Sequence, residues 1–149
     1  MTAPAYARTP AFDDRPVLAI VRLKPGHARE ALSRVGDPSW DLGPAVFREN
    51  ARRCHVTVHF DVLEHADVQA AMRAYLYARL NADLPGYRTK LPPACIRQAF
   101  NRARRFFAFA REQLGWLDLG RIDQALADAY ARHLRADPAR RPVIVSHLL

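Results

Sequence analysis

Apolar positions recur along this chain in two rhythms, and the change from one to the other comes near residue 66. Before it they form short runs or alternate. Residues 15–23 (RPVLAIVRL) are a largely apolar run with β-branched residues, held between Pro16 and a Pro25-Gly26 turn, and predict a strand. Residues 54–62 alternate, with Val56, Val58, Phe60 and Val62 on one side and His55, Thr57, His59 and Asp61 on the other. That period of two predicts a second strand with one wet face, and the first run is its candidate partner. Between them, residues 28–35 fit two helical turns that stop at Gly36-Asp37-Pro38. Trp40, just ahead of the Gly43-Pro44 break, is read as a buried anchor for an irregular segment. Residues 1–14 are rich in Pro and Ala, lack a period and predict a loose arm.

From residue 66 the period becomes helical. Val68, Met72, Tyr75, Leu76 and Leu80 make one stripe, with Asp67 favourably placed in the first turn and Pro85-Gly86 as the stop. A linker with Arg88, Thr89 and Lys90 leads to Pro92-Pro93, which suit a helix start. The long helix that follows, residues 96–114 (IRQAFNRARRFFAFAREQL), organises the rest. At 100° per residue Ile96, Ala99, Phe100, Ala103, Phe106, Phe107, Ala110 and Leu114 share a broad arc, and Arg97, Asn101, Arg104, Arg105 and Arg111 fall on the opposite one. Gly115 ends it. Ile122, Leu126, Ala129, Tyr130, His133 and Leu134 mark a third helix that ends at Asp137-Pro138. Pro142 then opens an apolar fourth helix with Val143, Ile144, Val145, Leu148 and Leu149, which reads as cut short.

Charge changes the picture. The 149 residues are of ordinary globular composition, 50% hydrophobic and 26% charged, yet carry a formal net charge of +8. Such an excess favours an anionic partner, nucleic acid first and an acidic membrane surface second. Only Lys24 and Lys90 are lysines. GC-rich codon usage would explain that arginine bias, but it would also supply acids, so the net excess stands apart from it. On the long helix Glu112 is the only acid, so its arginines lack the i,i+4 partners that a merely solvated helix tends to carry.

Candidate chemistry adds little. His55 and His59 beside Cys54 invite a metal reading, but on a strand they would lie about 13 Å apart, too far for one ion. Cys95 near the start of the long helix borders its apolar arc and reads as a packed thiol. The carboxylates are scattered, and no Gly-rich phosphate loop or CxxC occurs. Phe100, Phe106, Phe107 and Phe109 invite comparison with a base-stacking platform, but three of the four lie on the core arc and are packing residues. No catalytic residue, metal site or cofactor is assigned. Two cysteines are too few for a disulfide framework, no signal peptide is visible and no apolar run is long enough to span a membrane. These features predict a cytoplasmic protein with no small-molecule substrate.

From residue 66 onward the order of elements resembles the core-binding domain of tyrosine recombinases of the phage-integrase type. The residues that carry the likeness are the helix VQAAMRAYLYARL, the Thr/Lys linker, the long helix with F-x-x-F-A, and the pattern G-x-x-x-L-x-x-I-x-x-x-x-x-x-x-Y-x-x-x-L. The resemblance implies a mainly α fold: a SAM-like four-helix bundle over residues 66–149, with the fourth helix incomplete. Residues 1–65 would be an amino-terminal extension with one or two short β-strands. It also implies a clamp on double-stranded DNA through the second and fourth helices. Carried over, the contacts are Arg97, Arg104, Arg105 and Arg111, with Arg140 and Arg141 at the entry to the fourth helix and Lys90 in the linker. The family's catalytic arginines, lysine, His-x-x-Arg box and tyrosine belong to a separate carboxy-terminal domain, and no His-x-x-Arg occurs here. The expectation is a DNA-gripping portion of a site-specific recombinase that is not an enzyme by itself. The alternative is a stand-alone helical interaction module, self-associating through residues 143–149, or a non-catalytic DNA-binding protein.

Overall fold

The helical period read from residue 66 is realised almost to the residue. The computed structural model describes residues 10–137. In chain order these contain a short helix α1 (Pro10–Asp13), strand β1 (Ser39–Asp41), a helical turn α2 (Arg53–Val56), strand β2 (Thr57–His59) and three longer helices, α3 (Ala66–Asn81), α4 (Ile96–Leu114) and α5 (Gln124–Ala136). The molecule is mainly helical with one small antiparallel sheet, β1 against β2.

Helix α3 buries Val68, Ala71, Met72, Leu76 and Leu80 at helical spacing, and α4 buries Ile96, Phe100, Phe107 and Ala110. The two pack together, Tyr75 meeting Phe107 edge-on at 5.8 Å between centroids. Gly115 closes α4 at φ +80°, a backbone region that costs any residue with a Cβ, and its N–H donates to the Arg111 carbonyl at 2.8 Å. Helix α5 starts on Asp123, whose carboxylate accepts from the Leu126 N–H at 2.8 Å. It lies on α4 through Tyr130, 5.1 Å from Phe106 and 5.3 Å from Phe109.

Residues on both sides of position 65 share one hydrophobic cluster, which runs from Val17 to Leu126. Trp40 is its largest fully buried side chain, its indole N–H donating to the Val35 carbonyl at 3.1 Å. The Trp40 ring meets Phe60 at 4.8 Å, and Phe60 meets Phe100 of α4 at 6.0 Å. Arg73 of α3 is buried against this stack, with its guanidinium 4.7 Å from the Phe60 centroid and donating to the Asp37 carbonyl at 3.1 Å.

The amino-terminal segment departs from its sequence reading in four places. Residues 15–23 are not a strand; a single bridge joins Pro16 to Arg34. The backbone bends through residues 17–21, and Val17 and Leu18, neighbours in sequence, are both buried. Side chains take the place of a partner strand. Asn81 donates to the Val17 carbonyl at 2.8 Å and accepts from the Ala19 N–H at 3.1 Å, and Arg29 donates to the carbonyls of Leu18 and Val21. Residues 54–62 hold only a three-residue strand, and its partner is β1, with Trp40 opposite Val58. Val56, Val58 and Phe60 do point inward, whereas Val62 is 46% exposed. Residues 28–35 make one 3-10 turn, Arg29–Ala31, because the Asp37 carboxylate takes the Arg34 N–H and Val17 takes the Ser33 carbonyl. Residues 10–14 are docked rather than loose: Phe12 meets Tyr77 edge-on at 5.2 Å, and the Gly36 N–H donates to the Asp13 carbonyl. The expected fourth helix from Pro142 lies outside the described residues.

Asn81 therefore satisfies two backbone groups of another segment. Asn81→Ala should destabilise the protein by about 1–3 kcal/mol, the usual cost of leaving partly buried polar groups without partners, measured as a shift in urea unfolding midpoint at constant slope.

Candidate nucleic-acid interface

Helix α4 presents its charges by simple geometry. Residues seven apart return to nearly the same bearing, drifting about 20° per step. Arg97, Arg104 and Arg111 thus form one row at about 10 Å intervals, with Arg105 further round the solvent side. Arg97, Arg104 and Arg105 are exposed, and none makes an ion pair among the described residues. Arg97 does have a backbone partner, the Cys54 carbonyl of α2, to which its guanidinium donates. That contact fixes the head of α4 beside the α2 turn.

Arg111 ends the row differently. Its Nε donates to both oxygens of Asp67, at 3.2 and 3.3 Å, and its side chain is only 31% exposed. Asp67 also accepts from the Leu117 N–H at 2.7 Å and from the Val68 N–H at 2.9 Å. One carboxylate thus joins the first turn of α3, the last turn of α4 and the link beyond it. Burial pushes this carboxyl upward, but the Leu117, Arg111 and Val68 donors outweigh it and hold the group below its ordinary value of 3.8. Arg111 belongs to this joint.

The other expected contacts are dispersed. Lys90 forms an ion pair with Asp83 at 2.7 Å. It sits between Arg88 and Leu91 in a linker that folds back on α3, where the Leu91 N–H donates to the Arg79 carbonyl. Tyr87 and Leu91 of that linker line a groove of about 600 Å³ along the flank of α4 away from Cys54, together with Ala99, Arg102, Phe106 and Tyr130. Arg79 lies flat on Tyr87, 3.7 Å from its centroid, and burial followed by the Tyr87 hydroxyl pushes the Tyr75 phenol up to about 12. This groove is mostly aromatic and aliphatic, unlike the arginine row. Arg140 and Arg141 lie outside the described residues.

Arg52 and Arg53 at the α2 turn are among the exposed arginines that escaped the sequence reading. The basic pair was visible, but reading residues 54–62 as a strand placed it in a connection with no relation to α4. His55 and His59 are both exposed, His55 on the turn and His59 on β2. Among the described residues no three His, Cys, Asp or Glu side chains are grouped to hold a metal ion, and no helix is long and apolar enough to cross a membrane. Comparison with protein-family models, curated proteins and solved structures finds no match to this chain.

The Asp67 joint makes a pH-dependent prediction. Because its folded pKa is lowered, Asp67 stabilises the fold above about 3.8, and this stabilisation is lost as pH falls through the lower folded value. Asp67→Ala should cost about 1–3 kcal/mol at neutral pH. The gap between the wild-type and variant urea midpoints should narrow below pH 3.8.

Proposed function

We propose that this chain is the DNA-gripping portion of a site-specific tyrosine recombinase, with the solvent face of α4 set against the phosphates of a duplex. One observation carries the reading: Arg97, Arg104 and Arg105 lie on one exposed face with no acid paired to them among the described residues. A cationic row that the fold does not neutralise can release counterions from DNA, which is the main source of sequence-tolerant affinity. The resemblance read from the sequence agrees with it, since α3, α4 and α5 are the segments that carry the core-binding pattern. On this reading the bundle is SAM-like and the chemistry belongs to a catalytic domain beyond this sequence. The row positions the protein along the backbone and leaves base recognition to other groups.

Arg111 carries less of the contact than its place in the row implies, because Asp67 already holds its Nε. The informative variant is therefore Arg97→Ala/Arg104→Ala/Arg105→Ala. By fluorescence anisotropy on a labelled duplex, the wild type should bind tightly at low salt, with log affinity falling linearly against log salt. The triple variant should lose about 0.9 from that slope for each phosphate contact removed. An unchanged slope would reject the α4 face. Failure of the wild type to bind duplex, with association between copies instead, would favour the helical interaction module.

A further inference from the structure

Helix α4 does not stand alone on its Arg97 flank. The α2 turn is fixed there by hydrogen bonds to its successive carbonyls: the His55 N–H donates to Arg52 at 2.9 Å, the Thr57 hydroxyl donates to Arg53 at 2.8 Å, and Arg97 donates to Cys54. Val56 is buried beneath, and the strand that follows leads into Phe60 and its contact with Phe100 of α4. The turn is thus held from below by the core and from the side by α4. Its upper surface is Arg52, Arg53, Cys54 and His55, all exposed.

Neither Arg52 nor Arg53 makes an ion pair or a side-chain hydrogen bond among the described residues, so the fold has no use for their charge. The stretch around them, residues 47–55 (FRENARRCH), holds one acid, Glu49, against three arginines. A shallow concavity of about 430 Å³ beside the turn is lined by Arg48, Glu49, Asn50 and His55 together with Ala94 just before α4, so it bridges the same two segments. Arg52 and Arg53 therefore continue the Arg97 end of the row, although they lie more than forty residues before it.

We propose that the α2 turn and the solvent face of α4 form one duplex-binding surface, with Arg52 and Arg53 contacting phosphates. This rests on the DNA reading of α4 and extends it: residues 10–65 take part in the grip as well as completing the core. The partner is duplex DNA recognised through its backbone, because guanidinium groups on a fixed turn match phosphate oxygens, and contacts to phosphate carry no sequence information.

The test is the salt dependence of duplex binding by the full chain with Arg52→Ala/Arg53→Ala. Both side chains are exposed, so thermal unfolding should be unchanged. The slope of log affinity against log salt should fall by about 1–2, equally on duplexes of unrelated sequence. Arg132→Ala/Arg135→Ala removes the same charge from the exposed side of α5 and should leave the slope within error of wild type. Arg52→Lys/Arg53→Lys should retain most of it. An unchanged slope in the Arg52/Arg53 variant, or an equal fall in the α5 control, overturns the proposal while the α4 reading stands on its own variant. A wild type that binds no duplex overturns both.

Discussion

Three aromatic rings in contact, Trp40, Phe60 and Phe100, decide how this molecule is put together. They come from a strand, the turn after a second strand and the second turn of the longest helix. Each edge-on pair contributes about 0.5–1.5 kcal/mol beyond the area it buries. Arg73 adds a cation above the central ring, and in a desolvated setting such a contact reaches about 2 kcal/mol. The stack matters for geometry as much as for energy. It sets the small sheet against α4, and the sheet in turn carries the α2 turn to the flank where Arg97 takes the Cys54 carbonyl. Weakening the stack would loosen the core and separate two parts of the basic surface together.

The long helix divides its work by bearing. Its phenylalanines reach α3, α5 and the Trp40 stack, so none faces solvent as a platform for bases; even Phe109, off the main apolar arc, rests on Tyr130 and His133. Its arginines divide again. Arg111, at the border with α3, is drawn into a joint with Asp67, whereas Arg97, Arg104 and Arg105 stay in solvent. The difference is one of neighbours: the border of the helix meets the acid-bearing first turn of α3, and the open face meets no acid among the described residues.

Where a long segment repeats one period, the sequence was legible. Helices α3, α4 and α5, the Gly115 stop, the burial of Trp40 and the core role of the phenylalanines all follow from spacing and size. The segment before residue 66 was less so, because its elements are three or four residues long and part of its backbone is partnered by side chains. Nothing in RPVLAIVRL shows that Asn81, some sixty residues later, will occupy its backbone groups. Nor does the alternation of residues 54–62 show that its first part will coil into a turn against α4. The same limit applies to the candidate site. Exposed arginines on a strong helix could be read directly, but the pairing of Arg111 with Asp67 and the nearness of Arg52 and Arg53 to Arg97 depend on tertiary placement.

The Asn81 contact has a consequence for how the protein meets other chains. A largely apolar run with free backbone groups, such as residues 17–21, would ordinarily invite a foreign strand to pair with it, the route by which proteins template their own aggregation. Here an amide and a guanidinium occupy four of the groups that such a strand would need. The segment is guarded by side-chain groups, which offer no continuing backbone on which a ladder could extend. An intruding strand would first have to displace Asn81 and Arg29, so the barrier to misassembly in this region is set by two residues that are not themselves part of the run.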